Sequence, residues 1–201
     1  MINTNGCDLS HFQPGAQFHV IAKRCGFVYL KATEGVGFVD QTFNDYRDQA
    51  NQTDLRVGSY HFLHPTLDGK EQAKHFIAVV GDLQPGELAP ACDVESTPGW
   101  TAAKIQVVED FVAAITERYH ECKIYCSPGW WDSTFDGVAW SLYPTICNSS
   151  LWLAQYDVEA PRVPKPFTAW QIWQYCENGS VPGVKDGNVD TDIWNGEMPA
   201  A

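Results

Sequence analysis

Two acids two residues apart, Asp93 and Glu95 in the run LAPACDVES (Leu88 to Ser96), are the sharpest chemical feature of the sequence. Side chains alternate along a strand, so residues i and i+2 share a face with Cα atoms roughly 6.5 to 7 Å apart. Ala89 and Ala91 precede the acids on that face and leave room around them. Two carboxyls at such a separation can flank a glycosidic bond: one, kept protonated, gives its proton to the leaving oxygen, and the other supplies negative charge near the anomeric carbon. Asp8 and Asp190 stand at the ends of two further β-prone runs. If they reach the same rim, repulsion among the acids favours the protonated form of one, and Glu95 is expected to be that one. A lone Asp-x-Glu is also an ordinary solvated strand end, so the pair acquires meaning only from the other acids. His61 and His64, with Asp8, would suit a metal only if the chain turned there, because i and i+3 face opposite sides of a strand. Ser10 with His61 lacks the Gly-x-Ser-x-Gly setting of a nucleophilic hydrolase. By the same alternation Lys31 and Glu34 are expected on opposite faces, one of them a buried partner or a rim residue.

Bringing these residues together takes several strands. Short β-prone runs occur at NGCDLS (Asn5 to Ser10), FVYLKATEG (Phe27 to Gly35), RVGSYHF (Arg56 to Phe62) and LAPACDVES, then at CKIYCS (Cys122 to Ser127), SLWLAQY (Ser150 to Tyr156), AWQIWQY (Ala169 to Tyr175) and NVDTDIW (Asn188 to Trp194). Helical spacing appears between the early ones: Phe18 to Cys25, Phe43 to Ala50 after an Asp40 cap, Ala73 to Val80 stopping at Gly81, and Ile105 to Tyr119. Alternating strands and helices imply parallel strands. Later the prolines of Asp157 to Thr168 and the glycines of Glu177 to Gly187 leave the last strands joined by loops. The pattern predicts an α/β fold: one domain over residues 1–201, an irregular TIM-like (β/α) barrel of about eight strands without helices in its C-terminal third. A regular eight-fold barrel needs roughly 250 residues, and the missing helices account for the shortfall. The competing open, doubly wound sheet lacks a Gly-x-Gly-x-x-Gly turn after its first strand. In a barrel the chemistry sits where strands end. There the sequence places Asp8 and Ser10, Tyr60, His61 and His64, Asp93 and Glu95, Tyr125, Gln155 and Tyr156, Gln174 and Tyr175, and Asp190 and Asp192.

Composition narrows the partners. With 13 basic residues scattered along the chain and a net charge of -12, neither nucleic acid nor an anionic lipid surface is a plausible electrostatic partner. The 8 Trp, 8 Tyr and 10 Phe exceed what a core of this size needs and favour a ligand that stacks on rings, such as carbohydrate. No run approaches the roughly 20 apolar residues of a membrane span, and MINTNGCDLS lacks the pattern of a secretory leader. The seven cysteines show no metal-binding spacing and are expected to be mostly reduced, buried thiols, with up to three disulfides if the protein is exported.

The ordered set GCDLSHFQPG, FVYLKATEG, VGSYHF, APACDVE, IYCS, LWLAQY and WQY followed by GNVDTDIW resembles the Chalaropsis-type lysozymes, glycoside hydrolase family twenty-five, over almost the whole chain. The resemblance implies an endo-acting muramidase that cleaves the β-1,4 bond from N-acetylmuramic acid to N-acetylglucosamine without cofactor or metal. Its partner would be the peptidoglycan glycan strand, met by a monomer. The family's acidic quartet falls on Asp8, Asp93, Glu95 and Asp190. Glu95 would be the general acid and then base, and Asp93 either orients the substrate's acetamido group or acts as nucleophile. Tyr60, Phe62, Tyr125, Trp152, Gln174 and Tyr175 are implied to line the substrate cleft. Cysteines at 7, 92 and 126 replace aliphatic or small residues, and Asp192 stands where the family often has Asn, an extra acid expected to alter the pH optimum. A chitinase-like N-acetylglucosaminidase, a glycan-binding barrel without catalysis and a metal-dependent deacetylase are the alternatives. The expected setting is a phage-type enzyme held in the cytoplasm until released to the wall, or a secreted enzyme without a recognisable leader.

Overall fold

The computed structural model describes residues 3–185 and 188–199. In chain order they form β1 (Asn5–Leu9), α1 (Phe18–Ile21), β2 (Phe27–Glu34), β3 (Phe38–Val39), α2 (Phe43–Asn51), β4 (Arg56–Phe62), α3 (Gly69–Val80), β5 (Ala91–Asp93), α4 (Ile105–Tyr119), β6 (Lys123–Cys126), α5 (Pro128–Thr134), α6 (Pro144–Asn148), β7 (Ser150–Ala154), β8 (Ile172–Gly179) and β9 (Val189–Trp194). The eight predicted strands all form. They close into a barrel in the order β1, β2, β4, β5, β6, β7, β8, β9, with β9 returning to β1. The barrel strands β1, β2 and β4 through β8 are parallel where they pair, whereas β9 runs antiparallel to both neighbours. A strand that returns through a short loop rather than a crossover helix pairs in this sense. β3 is an unforeseen extra strand, hairpinned onto the end of β2.

Two cores fix the barrel. Alternate residues point inward, where Phe27, Tyr29, Ala91, Trp152, Ile172 and Trp194 fill the lower barrel. Bulky rings fit because glycines stand beside them: a Cβ on Gly58 would lie 2.2 Å from the Tyr29 ring. The opposite faces pack on the helices, with Phe76 of α3 edge-on to Phe111 of α4 at 6.2 Å. α3 starts where the Asp68 side chain accepts from the Glu71 N–H and stops at Gly81 (φ 66°), a residue able to take a positive φ. Asp40, in contrast, does not cap α2, whose N-cap is Thr42. Buried two residues earlier, Asp40 accepts instead from the Thr42 N–H and hydroxyl and from the His11 backbone and ring.

Three local expectations change. The run LAPACDVES contributes only Ala91–Asp93 as strand, because Pro90 has no N–H to give and the chain leaves the sheet after Asp93, so Ala89 and Glu95 lie outside it. The last third is not fully bare, since α6 forms there on Pro144. The loop expected over Glu177 to Gly187 begins only after Gly179, and its residues 186–187 lie outside the described set.

Candidate active site

The barrel brings together acids that lie far apart in sequence. Asp8 on β1 and Asp190 on β9 are direct cross-strand partners, and Gln174 on β8 pairs with Asp192 on β9. Asp93 ends β5 in a row that runs Glu34, Phe62, Asp93, Tyr125 and Trp152 across β2, β4, β5, β6 and β7. A cavity of about 80 Å³ is lined by Asp8, Tyr60, Asp93, Glu95, Tyr125, Trp152, Gln174 and Asp190. Phe62 and Tyr175, also expected to line the cleft, do not line this cavity. The Phe62 ring instead lies under the Lys31 ammonium, 4.8 Å from its centroid. Tyr175 follows the inward Gln174, so alternation sends it out, 40% exposed and against Trp173.

Hydrogen bonds hold the floor of the cavity. Gln174 donates from Nε2 to Asp8 Oδ2 (2.8 Å) and accepts at Oε1 from the hydroxyls of Tyr125 (2.9 Å) and Tyr156 (2.6 Å). With the amide thus oriented, Asp8 has a fixed donor. Trp152 donates from Nε1 to Asp192 Oδ1 at 2.8 Å. Asp192 is fully buried beneath the cavity, and its Oδ2, like Asp93 Oδ1, has no hydrogen-bond partner among the described residues. His61 and His64 do not meet as metal ligands. The buried His61 bonds Thr33 and Gln72 and stacks on Phe111, whereas His64 bonds Glu34.

Crowding and burial keep protons in the cluster. Burial first, then the charges of Asp192 and Asp190, hold Asp8 well above the usual carboxylate range. Burial and then the Glu95 charge do the same to Asp93, and burial raises Glu95 less strongly. Asp190 is pushed up to about 6 by burial, with the charges of Glu177 and Glu95 adding to it. Desolvation is the largest cause at both Asp93 and Glu95, ahead of repulsion, and it acts harder on the more deeply buried Asp93.

A bulge supplies the one feature that sequence reasoning missed. The pairing of β2 with β4 slips between Lys31 and Thr33, so Ala32 is an extra residue and Lys31 and Glu34 share the inward face. They form an ion pair at 2.7 Å, and Glu34 also meets His64 Nε2 at 2.9 Å. The Lys31 charge opposes the upward shifts of both Asp93 and Glu95. Alternation taken at face value had put Lys31 and Glu34 on opposite faces, and no residue type in LKATEG marks the slip.

Carboxyls at strand ends, an acid-lined cavity and surrounding rings define a barrel enzyme of the glycoside hydrolase class. Residues 7–184 match the family described as glycosyl hydrolases family 25. The chain belongs to that family. It is 31% identical to Lysozyme M1 of Streptomyces globisporus, over 95% of this chain and 67% of that protein. It is 28% identical to the N,O-diacetylmuramidase of Chalaropsis sp, over 92% of this chain and 95% of that one. The crystal structure of the bacterial lysozyme from Streptomyces coelicolor superposes with a TM-score of 0.86 at 29% identity, covering 96% of this chain and 93% of that one.

Proposed function

We propose that this glycoside hydrolase is a muramidase that cuts the β-1,4 bond from N-acetylmuramic acid to N-acetylglucosamine in peptidoglycan, with Glu95 as general acid and then base. The observation that carries the proposal is the coupled Asp93–Glu95 pair in the cavity it shares with Asp8 and Asp190. Relatives named lysozyme and N,O-diacetylmuramidase support it.

Asp93 Oδ1 has no hydrogen-bond partner among the described residues and is free to accept from substrate. An acetamido N–H of the substrate donating to that oxygen favours the ionised form of Asp93, which leaves the proton of the pair on Glu95. Glu95 then protonates the glycosidic oxygen as its bond to the anomeric carbon breaks. The acetamido oxygen, turned toward that carbon by the same hydrogen bond, closes on it. Glu95, now ionised, takes a proton from the water that opens the intermediate. Asp8, fixed by Gln174, and Asp190 line the same cavity and present polar carboxyl oxygens to the sugar.

The chain acts as one catalytic domain and as a monomer on the glycan strand. Its substrate lies outside the cytoplasm, reached by release at lysis or by secretion. Replacing Glu95 by Gln tests the assignment: clearing of a cell-wall suspension should slow by roughly 10² to 10⁴. Equal clearing by both proteins rules out hydrolysis by this site.

A further inference from the structure

The catalytic cavity, about 80 Å³, encloses little of a long glycan strand, and the net charge of -12 gives no long-range pull toward an anionic wall. Grip on the polymer must come from elsewhere. A cleft of about 670 Å³, within the size range of ligand sites, lies between α5, the segment after it and the strap that follows β7. Its walls carry two acids and two bases, Asp132, Asp136, Arg162 and Lys165, beside the apolar Trp140 and Val163.

The cleft is preformed. Trp131, fully buried behind it, donates from Nε1 to the Lys165 carbonyl at 2.7 Å and stacks on Trp140 at 5.9 Å with 9° between the planes. Arg162 pairs with Asp132, and its backbone N–H donates to Gln155 Oε1 at 2.8 Å. The Gln155 N–H in turn bonds the carbonyl of Gln174, whose side chain holds Asp8. The wall of the cleft is therefore tied to the catalytic rim. Among the described residues Asp136 and Lys165 have no ion-pair partner, which leaves one charge of each sign for a ligand.

We propose that this cleft binds a short peptide bearing both free carboxylates and an amine, the chemistry of the peptide stems that branch from the glycan strand. The assignment rests on the muramidase reading for the identity of the polymer. An amphoteric peptide meets Lys165 with its carboxylate, Asp136 with its amine, and Trp140 and Val163 with its methyl groups.

The test pairs Lys165→Ala with Asp136→Asn, both exposed side chains whose replacement leaves the Trp131 bond to the Lys165 backbone in place. Wild type and double variant are compared on intact peptidoglycan and on the same glycan stripped of stems by an amidase. The double variant should lose about fivefold in kcat/KM on the intact polymer and nothing on the stripped one. Equal effects on both polymers, or none on either, overturn the proposal. Titrating a free stem tetrapeptide into wild type, followed by tryptophan fluorescence, needs no turnover and so separates this proposal from the muramidase reading. Saturable binding that weakens in the double variant supports the site, and absence of binding up to millimolar peptide refutes it.

Discussion

Replacing Lys31 by Met removes one charge and keeps most of the aliphatic stem. Lys31 is buried, faces inward by alternation with Phe27 and Tyr29, and favours the ionised forms of Asp93 and Glu95. β2 and β5 are separated by β4 alone, and the long lysine side chain closes much of that gap, leaving charges about 7 Å apart. At an effective dielectric of about 20, such a separation is worth about 2.4 kcal/mol, or about 1.7 pH units. The direction is fixed: without the ammonium both carboxyls ionise later, so both limbs of the pH profile of kcat/KM move toward alkaline pH. Lys31→Arg should restore the wild-type profile, because the charge returns. The assay is wall clearing measured from pH 3 to 9 with all three proteins. A uniform loss of rate in Lys31→Met, with both limbs unmoved, would show that Lys31 only packs against Phe62.

Asp192→Asn should stabilise the protein at pH 7 by about 1 to 3 kcal/mol, seen as a higher melting temperature. Burial raises Asp192 far above its unfolded value, so its ionised form disfavours folding and the penalty disappears in acid; the gain should shrink toward pH 4. Gln174→Ala should cost tenfold or more in kcat/KM by freeing Asp8, whereas Tyr175→Ala, next to it but outward, should stay within about twofold. His61, neutral in the core with its pKa lowered to about 3 by burial, should contribute to acid unfolding. Its stabilising share is full above the unfolded value near 6.5 and falls as pH drops toward 3. His61→Phe should therefore flatten the decline of melting temperature across that window.

The strands were legible because each is a short β-prone run closed by turn residues, and their number and order required a closed barrel. Strand ends were less so. Pro90 cuts short a run that reads as continuous, and the antiparallel return of β9 depends on a helix that is missing rather than on any residue present. Eight of the ten expected site residues meet in one cavity, since strand-end position in a barrel already implies a shared rim. Gln174 and Tyr175 were named together although neighbours on a strand cannot both point inward. The bulge at Ala32 changes which residues share a face by slipping the register by one, and register is a property of two strands that one strand's sequence does not carry. The weight of desolvation at these acids was hidden for a related reason: it depends on depth of burial, which the spacing of Asp93 and Glu95 does not encode.

Mass spectrometry of the fragments released from purified peptidoglycan tests the central claim most directly, because one spectrum reports the polymer, the bond and the reaction. The account predicts fragments with new reducing-end N-acetylmuramic acid from the wild-type protein, and almost none from Glu95→Gln. Fragments ending in N-acetylglucosamine, or the same muramic ends in undiminished yield from Glu95→Gln, would contradict it.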